Sequence, residues 1–347
     1  MYIKKILWAI ALIGLVIAGF FAYYVYNAML SPNTNFNNDE AYIYIKSTDS
    51  YNEVRSQLEP LLKDIASFDV LAEQKKYTSN IKSGKFAIKK GMNNNDIINS
   101  IRSENLPIKV SFNNQNSLEK LAGRVANQIE ADSLSLLEAM TDTEFFTSNG
   151  FTNETALGMY LPNSYELYWN TTAETFRDRM LKEYKRFWNE KRIAKAHAIG
   201  LSKDQVMTLA SLVYEESKQK SEQARIAGLY INRLNSGIPL DSDPTLKFAA
   251  YKLPQYNNTI IRRVLNVHKS IDSPYNTYKN RGLPPGLITM PNISAIEAVL
   301  NYEKHKYIFM CADPKRFGYH KFAKTLAQHN ANARAYHKYL DSKGIRK

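Results

Sequence analysis

Apolar residues in this chain follow two spacings: one unbroken run near the start, and repeated three- and four-residue steps further on. The run, Ile6 to Tyr26, is uncharged and 21 residues long, about the length a membrane-spanning helix needs. Trp8 near one end and Tyr23, Tyr24 and Tyr26 near the other suit the aromatic belts of a bilayer. The run exceeds a typical signal-peptide core and no small-x-small site follows it, so a retained anchor is expected. Lys4 and Lys5 precede it, while Asn27 to Asn38 holds no lysine or arginine. That asymmetry predicts a cytoplasmic N-terminus with the rest of the chain outside.

Residues 31–40 are polar and read as a linker. Strict alternation in AYIYIK (41–46) predicts a strand with Ile43 and Ile45 on one side and Tyr42 and Tyr44 on the other. Ser50 with Glu53 forms a capping box for a short helix through Val54 and Leu58. Residues 85–112 repeat the pattern: KFAI, a turn at Lys90-Gly91, a helix over Asp96 to Arg102, then the strand IKVSF after Pro107. This strand–helix–strand module, 41–115, resembles a LysM domain, a glycan-binding unit of bacterial walls; a structural spacer is the alternative. Beyond it, residues 116–347 are expected to form one larger, mostly helical domain. Helical spacing recurs from Ser117 to Met140, and Phe176, Met180, Tyr184 and Phe187 predict one long helix over 173–198 with an aromatic core face.

The stretch from Ser202 to Gly237 contains a helix whose chemistry conflicts with its packing. Ser202 and Gln205 form a second capping box, and Val206, Leu209, Ala210, Val213 and Glu216 then share one face. Glu215 points to nearly the opposite side. A carboxylate aimed at an interior either pairs with a cation or holds a proton, and a protonated glutamate at neutral pH is what a general acid requires. A salt bridge to a surface lysine is the bland alternative for Glu216. A second helix over Glu222 to Leu234 should close at Gly237. The loops that follow, DSDPT (241–245), SPYNTY (273–278) and GLPPG (282–286), combine aromatic rings with amides and hydroxyls, the groups that hold sugars. Asp243 before Pro244 reads as a turn. A helix at 294–302, a strand at 307–312 and a last helix containing His329-Asn330 complete the pattern, giving an α+β class overall.

Composition narrows the function. Cys311 is the only cysteine, so no intrachain disulfide is possible and no cysteine metal site is expected. His320 and His329 lie outside any metal-binding pattern and read as structural. The net charge is +13, and residues 301–347 hold eleven Lys/Arg against three Asp/Glu. For a chain whose body lies outside a membrane, anionic headgroups or an acidic polymer are the expected partners rather than nucleic acid, and a merely solvated basic face is the alternative.

The segments LASLVYEES (209–217), INRL (231–234), SDPT (242–245), YNTY (275–278), GLPPG (282–286) and HKFAKTLAQHN (320–330) together resemble the YceG-like endolytic murein transglycosylases, the MltG family. The chain departs from the family pattern at Tyr214 and Asp241. The resemblance implies a lytic transglycosylase that cuts β-1,4 bonds between N-acetylmuramic acid and N-acetylglucosamine. It further implies no cofactor or metal, a bacterial plasma-membrane location and peptidoglycan synthases as neighbours. Glu216 with Ser217 is similar to the family's catalytic Glu-Ser or Glu-Thr pair. Tyr275, Asn276, Thr277 and Tyr278 are the expected sugar contacts, Tyr275, Asn276 and Thr277 also the dipoles facing charge at C1. Asn232, Arg233 and Asp243 are further candidates around the substrate; the alternative for Asn232 and Arg233 is to cap a helix or pair with Asp243. A hydrolase using Asp241 or Asp243 as a second carboxylate, and a non-catalytic wall-binding scaffold, are the competing functions.

Overall fold

The structure is a computed structural model that describes residues 2–256, 259–261 and 263–342. Its first element, α1 (Tyr2–Leu30), is the one helix among the described residues long and apolar enough to cross a membrane, with a mean hydropathy of 2.4. Its side chains are exposed up to Asn27 except for the half-buried Val25, and Ala28 is buried.

Two units follow from the packing: residues up to Val110 with Gln128–Ala131 and Tyr165–Thr172, and Ser111–Asn127 with Asp132–Ser164 and everything from Ala173 onward. In the first unit come β1 (Glu40–Ile45), α2 (Tyr51–Leu58), α3 (Ile65–Gln74), β2 (Gly84–Lys89) and α4 (Asn94–Ser103). Strands β1 and β2 pair antiparallel with Ile43 opposite Phe86. As the alternation predicts, Ile43 and Ile45 enter the core with Leu58, Phe68 and Ile98, while Tyr42 and Tyr44 stay exposed. Both oxygens of the Ser50–Glu53 capping box are engaged.

The stretch read as a linker is partly docked. Asn33 is buried; its amide donates to Asp64 O and Asn94 Oδ1 at 2.7 Å each, and its Oδ1 accepts from Asp64 N. Backbone groups with no ladder partner need such side chains.

β3 (Pro107–Phe112) pairs with β4 (Asn163–Tyr168). In the second unit α5 (Leu118–Ala126), α6 (Ser133–Met140) and α7 (Thr143–Ser148) precede α8 (Ala173–Phe187) and α9 (Glu190–Ala198). The single helix expected over 173–198 is therefore two. Asn189 leaves helical geometry and its side chain accepts from Arg192 N, so an N-cap restarts the chain where the aromatic spacing alone ran on.

The rest of the unit comprises α10 (Lys203–Glu216), α11 (Lys220–Asn235), α12 (Asp243–Tyr251), α13 (Asn266–Lys269), α14 (Ile293–Leu300), β5 (Phe309–Ala312), β6 (His320–Ala323) and α15 (Leu326–Ser342). Helix α10 packs on α11, α12 and α14, and α15 covers the antiparallel β5–β6 pair. Gly237, at φ 62°, follows α11 as expected. The turn expected at Asp243-Pro244 is instead the first turn of α12; proline tolerates that position because its missing N–H would have no partner there. Of the basic C-terminal residues, Lys343, Arg346 and Lys347 lie outside the described residues.

One close approach fixes α11. A Cβ on Gly228 would lie 2.2 Å from the Glu303 carbonyl oxygen, where the chain after α14 is pinned by Glu303 N to Ala224 O at 2.9 Å. Gly228→Ala gains up to about 1 kcal/mol of helix propensity but overpacks a backbone contact. A net loss of about 1–2 kcal/mol is expected in urea unfolding.

Candidate active site

Helix α10 buries Val206, Leu209, Ala210 and Val213 and ends at Glu216. The placement brings the carboxyl to the helix C-terminus, where the unpaired carbonyls make a negative charge unfavourable. Glu216 Oε1 accepts from Tyr230 Oη at 2.5 Å and from Ser242 Oγ at 2.8 Å. Tyr230 comes from the facing side of α11, fully buried, and Ser242 from the residue before α12. Glu215 faces away and pairs with Lys218 Nζ at 2.9 Å.

Glu216 lines a cavity of about 600 Å³, within the range of small-ligand sites. Burial holds its pKa above the ordinary carboxylate value; the hydrogen bonds from Tyr230 and Ser242 and the charge of His320 oppose the rise, and Asp243 adds to it. Burial and the neighbouring Glu216 push Tyr230 well above the usual phenol range. Tyr230 therefore remains a donor.

His320 lines the same cavity and belongs to a second pair. Glu222, buried in the first turn of α11, accepts from His320 N at 2.8 Å and from His320 Nδ1 at 3.0 Å. Burial pulls the imidazole down, but the hydrogen bond and charge of Glu222, with Glu216 behind them, outweigh it and leave the pKa raised. The pair's contribution to stability is thus fully present below the ordinary histidine value and is lost as pH rises through the folded one. Denaturant unfolding of wild type and Glu222→Gln should differ most near about pH 5.5 and less by about pH 9.

Across the cavity, Tyr278 Oη donates to Asp243 Oδ1 at 2.6 Å. Arg233 donates to Pro239 O and Ile308 O at 2.7 Å each and pairs with Asp241. Asp241 adopts φ 51°, a left-handed conformation that only a few per cent of non-glycine residues take. Among the described residues no three His, Cys, Asp or Glu side chains are grouped to hold a metal ion.

The profile of the YceG-like family matches residues 43–335. The chain belongs to the YceG-like family. It is 28% identical to a Bacillus subtilis (strain 168) protein named endolytic murein transglycosylase, over 95% of this chain and 92% of the relative. A protein of the same name from Streptococcus pneumoniae serotype 2 (strain D39) is 27% identical over 85% of this chain; the match spans 58% of that longer relative. The crystal structure of a YceG-like protein from Listeria monocytogenes shares the fold, with a TM-score of 0.56 and 24% identity over 85% of this chain and 99% of that one.

In this YceG-like chain the expected site residues divide into two groups. Glu216, Arg233, Asp243 and Tyr278 line one cavity, but Arg233 pairs with Asp241 rather than Asp243. Ser217 is buried as the residue closing α10. Asn232 spends its amide on His305 O and Tyr307 O at 2.8 and 3.0 Å. Asn276 is fully buried, donating to Lys269 O and Ile271 O. Thr277 Oγ1 accepts from Ser242 N at 3.0 Å, and so holds a residue that holds Glu216. Tyr275 is buried against Phe248, ring centroids 4.7 Å apart. None of Tyr275, Asn276 and Thr277 lines the Glu216 cavity. Tyr230, Ser242, Glu222 and His320 were not singled out as site residues by the sequence pattern, although Ser242 and His320 open the SDPT and HKFAKTLAQHN segments, which is the signal that could have pointed to them.

Proposed function

We propose that this protein is a membrane-anchored endolytic peptidoglycan lytic transglycosylase with Glu216 as its acid and then its base. The observation that carries the reading is a half-buried carboxyl lining a cavity, held on one oxygen by Tyr230 and Ser242 and with its pKa raised. The names of the Bacillus and pneumococcal relatives support the substrate.

Protonated Glu216 gives its proton to the glycosidic oxygen as the bond from C1 to that oxygen breaks. The resulting carboxylate takes the proton of the muramic acid C6 hydroxyl, whose oxygen closes onto C1. The products are a free 4-hydroxyl end and a 1,6-anhydro end; Glu216 is protonated again and no water is consumed. Because the attacking hydroxyl belongs to the same sugar, the second step gains from proximity. Tyr230 and Ser242 stabilise the carboxylate between the steps, and the Glu222–His320 pair sets the charge facing it. Positive charge at C1 meets Asp243, oriented by Tyr278; this replaces the role expected for Tyr275, Asn276 and Thr277.

Around this site the reading extends to the whole chain. Residues 1–30 anchor it with the N-terminus inside, 41–115 form a LysM-like glycan-binding module on which the preceding stretch docks through Asn33, and 116–347 cut newly made strands beside the synthases. The antiparallel pairing of β1 with β2 and the helices between them support the LysM-like assignment.

Digestion of purified murein by the full chain in detergent, read by mass spectrometry, tests the chemistry. Anhydro ends are expected. Reducing ends would instead mean hydrolysis with two carboxylates, a reading that the position of Asp243 in the Glu216 cavity keeps specific.

A further inference from the structure

Helix α12 has two working faces. Asp243 at its start lines the Glu216 cavity, whereas Pro244, Lys247, Phe248 and Tyr251 line a second groove of about 780 Å³. Those four positions fall at helical steps of three, four and seven, a single stripe. Helix α10 divides in the same way: Glu216 opens into the first cavity and its neighbour Glu215 onto the second groove. The two spaces thus lie on either side of the junction of α10 with α12, in reach of one polymer passing over it.

The second groove has its own chemistry. Lys120, Lys247 and Lys252 line it, and among the described residues neither Lys120 nor Lys247 has a carboxylate partner within 4 Å. Its one lining carboxylate, Glu215, is met by Lys218. Lys252 Nζ lies 4.6 Å from the Phe248 ring and 4.7 Å from that of Tyr275, with Glu154 in electrostatic reach. Aromatic surface bordered by uncompensated cations suits a ligand with an apolar body and several carboxylates.

We infer that this groove binds the carboxylate-bearing peptide stem of the glycan strand whose backbone occupies the Glu216 cavity, so that stem-bearing strands are preferred over naked ones. The inference rests on the function proposed above and deepens it. Tyr275 then serves the substrate from this groove, by backing Phe248, rather than from the catalytic cavity.

The test compares wild type with the triple variant Lys120→Gln, Lys247→Gln, Lys252→Gln, both carrying Glu216→Gln so that binding is read without turnover. Sedimentation with stem-bearing strands, and with the same strands stripped of peptide by an amidase, gives the two affinities. Three charge contacts at exposed or half-buried lysines should favour stem-bearing strands about ten-fold in the wild-type background, a preference that weakens with salt. The triple variant should bind both strands alike. An equal affinity for the two strands in the wild-type background, or an undiminished preference in the triple variant, overturns the inference. So does a loss confined to vesicles of anionic lipid, which would make the groove a membrane contact. Lysine-dependent binding of stems by a protein that never yields anhydro ends would leave the groove standing and the proposed reaction fallen.

Discussion

Glu216→Gln should cut murein at least about 10²–10⁴-fold more slowly than wild type, the share that positioned proton transfer typically supplies. The amide can neither give the proton to the leaving oxygen nor take one from the C6 hydroxyl, so both steps fail together. Its carbonyl oxygen still accepts from Tyr230 and Ser242, so the cavity keeps its shape. Stability separates this loss from misfolding. A carboxyl whose folded pKa is raised binds its proton more tightly in the native state, so wild-type stability is greatest below the ordinary carboxylate value and declines as pH rises through the folded value. Glutamine is exempt from that decline. The variant should therefore unfold at a urea concentration no lower than wild type at neutral pH. Full cleavage by the variant would remove Glu216 from the mechanism, and an early unfolding midpoint would mean that the carboxyl is a structural partner rather than a buried acid.

What could be read from the chain was whatever is local. The capping box at Ser202 and the division of Glu215 from Glu216 follow from helical geometry within fourteen residues of one helix, and both appear as expected. So do the inward isoleucines of β1, since strand alternation needs only six residues. The environment of Glu216 was not legible in this way. Tyr230 lies 14 positions away and Ser242 lies 26, and Glu222 meets His320 across 98; only tertiary packing brings such residues together. The loop polar residues misled for a physical reason. A segment without a ladder must satisfy its own backbone groups, so Asn276 and Thr277 are turned inward onto Lys269 O, Ile271 O and Ser242 N. Composition identified hydroxyls and amides suited to sugar but gave no information about which of them the loop itself would consume. Tyr278 escaped this because its hydroxyl reaches the cavity and meets Asp243.

Removing both donors to Glu216, by Tyr230→Phe with Ser242→Ala, should slow cleavage about 10²-fold or more, since hydrogen bonds to a charged group contribute about 1.5–3 kcal/mol each. The two changes are coupled through one oxygen, so their effects should not add. The pH profile carries the decisive sign. Both hydrogen bonds lower the Glu216 pKa against the upward push of burial; without them the acid keeps its proton to higher pH. The basic limb of kcat/KM should therefore move to higher pH even as the rate falls, because a carboxylate deprived of its donors is a costlier product of the first step. Tyr230→Phe alone keeps the ring packed in the core and should show part of the shift without loss of fold. A slower enzyme with an unmoved basic limb would mean that these hydroxyls only position the carboxyl, leaving its acidity to the helix terminus, the burial and the His320 charge.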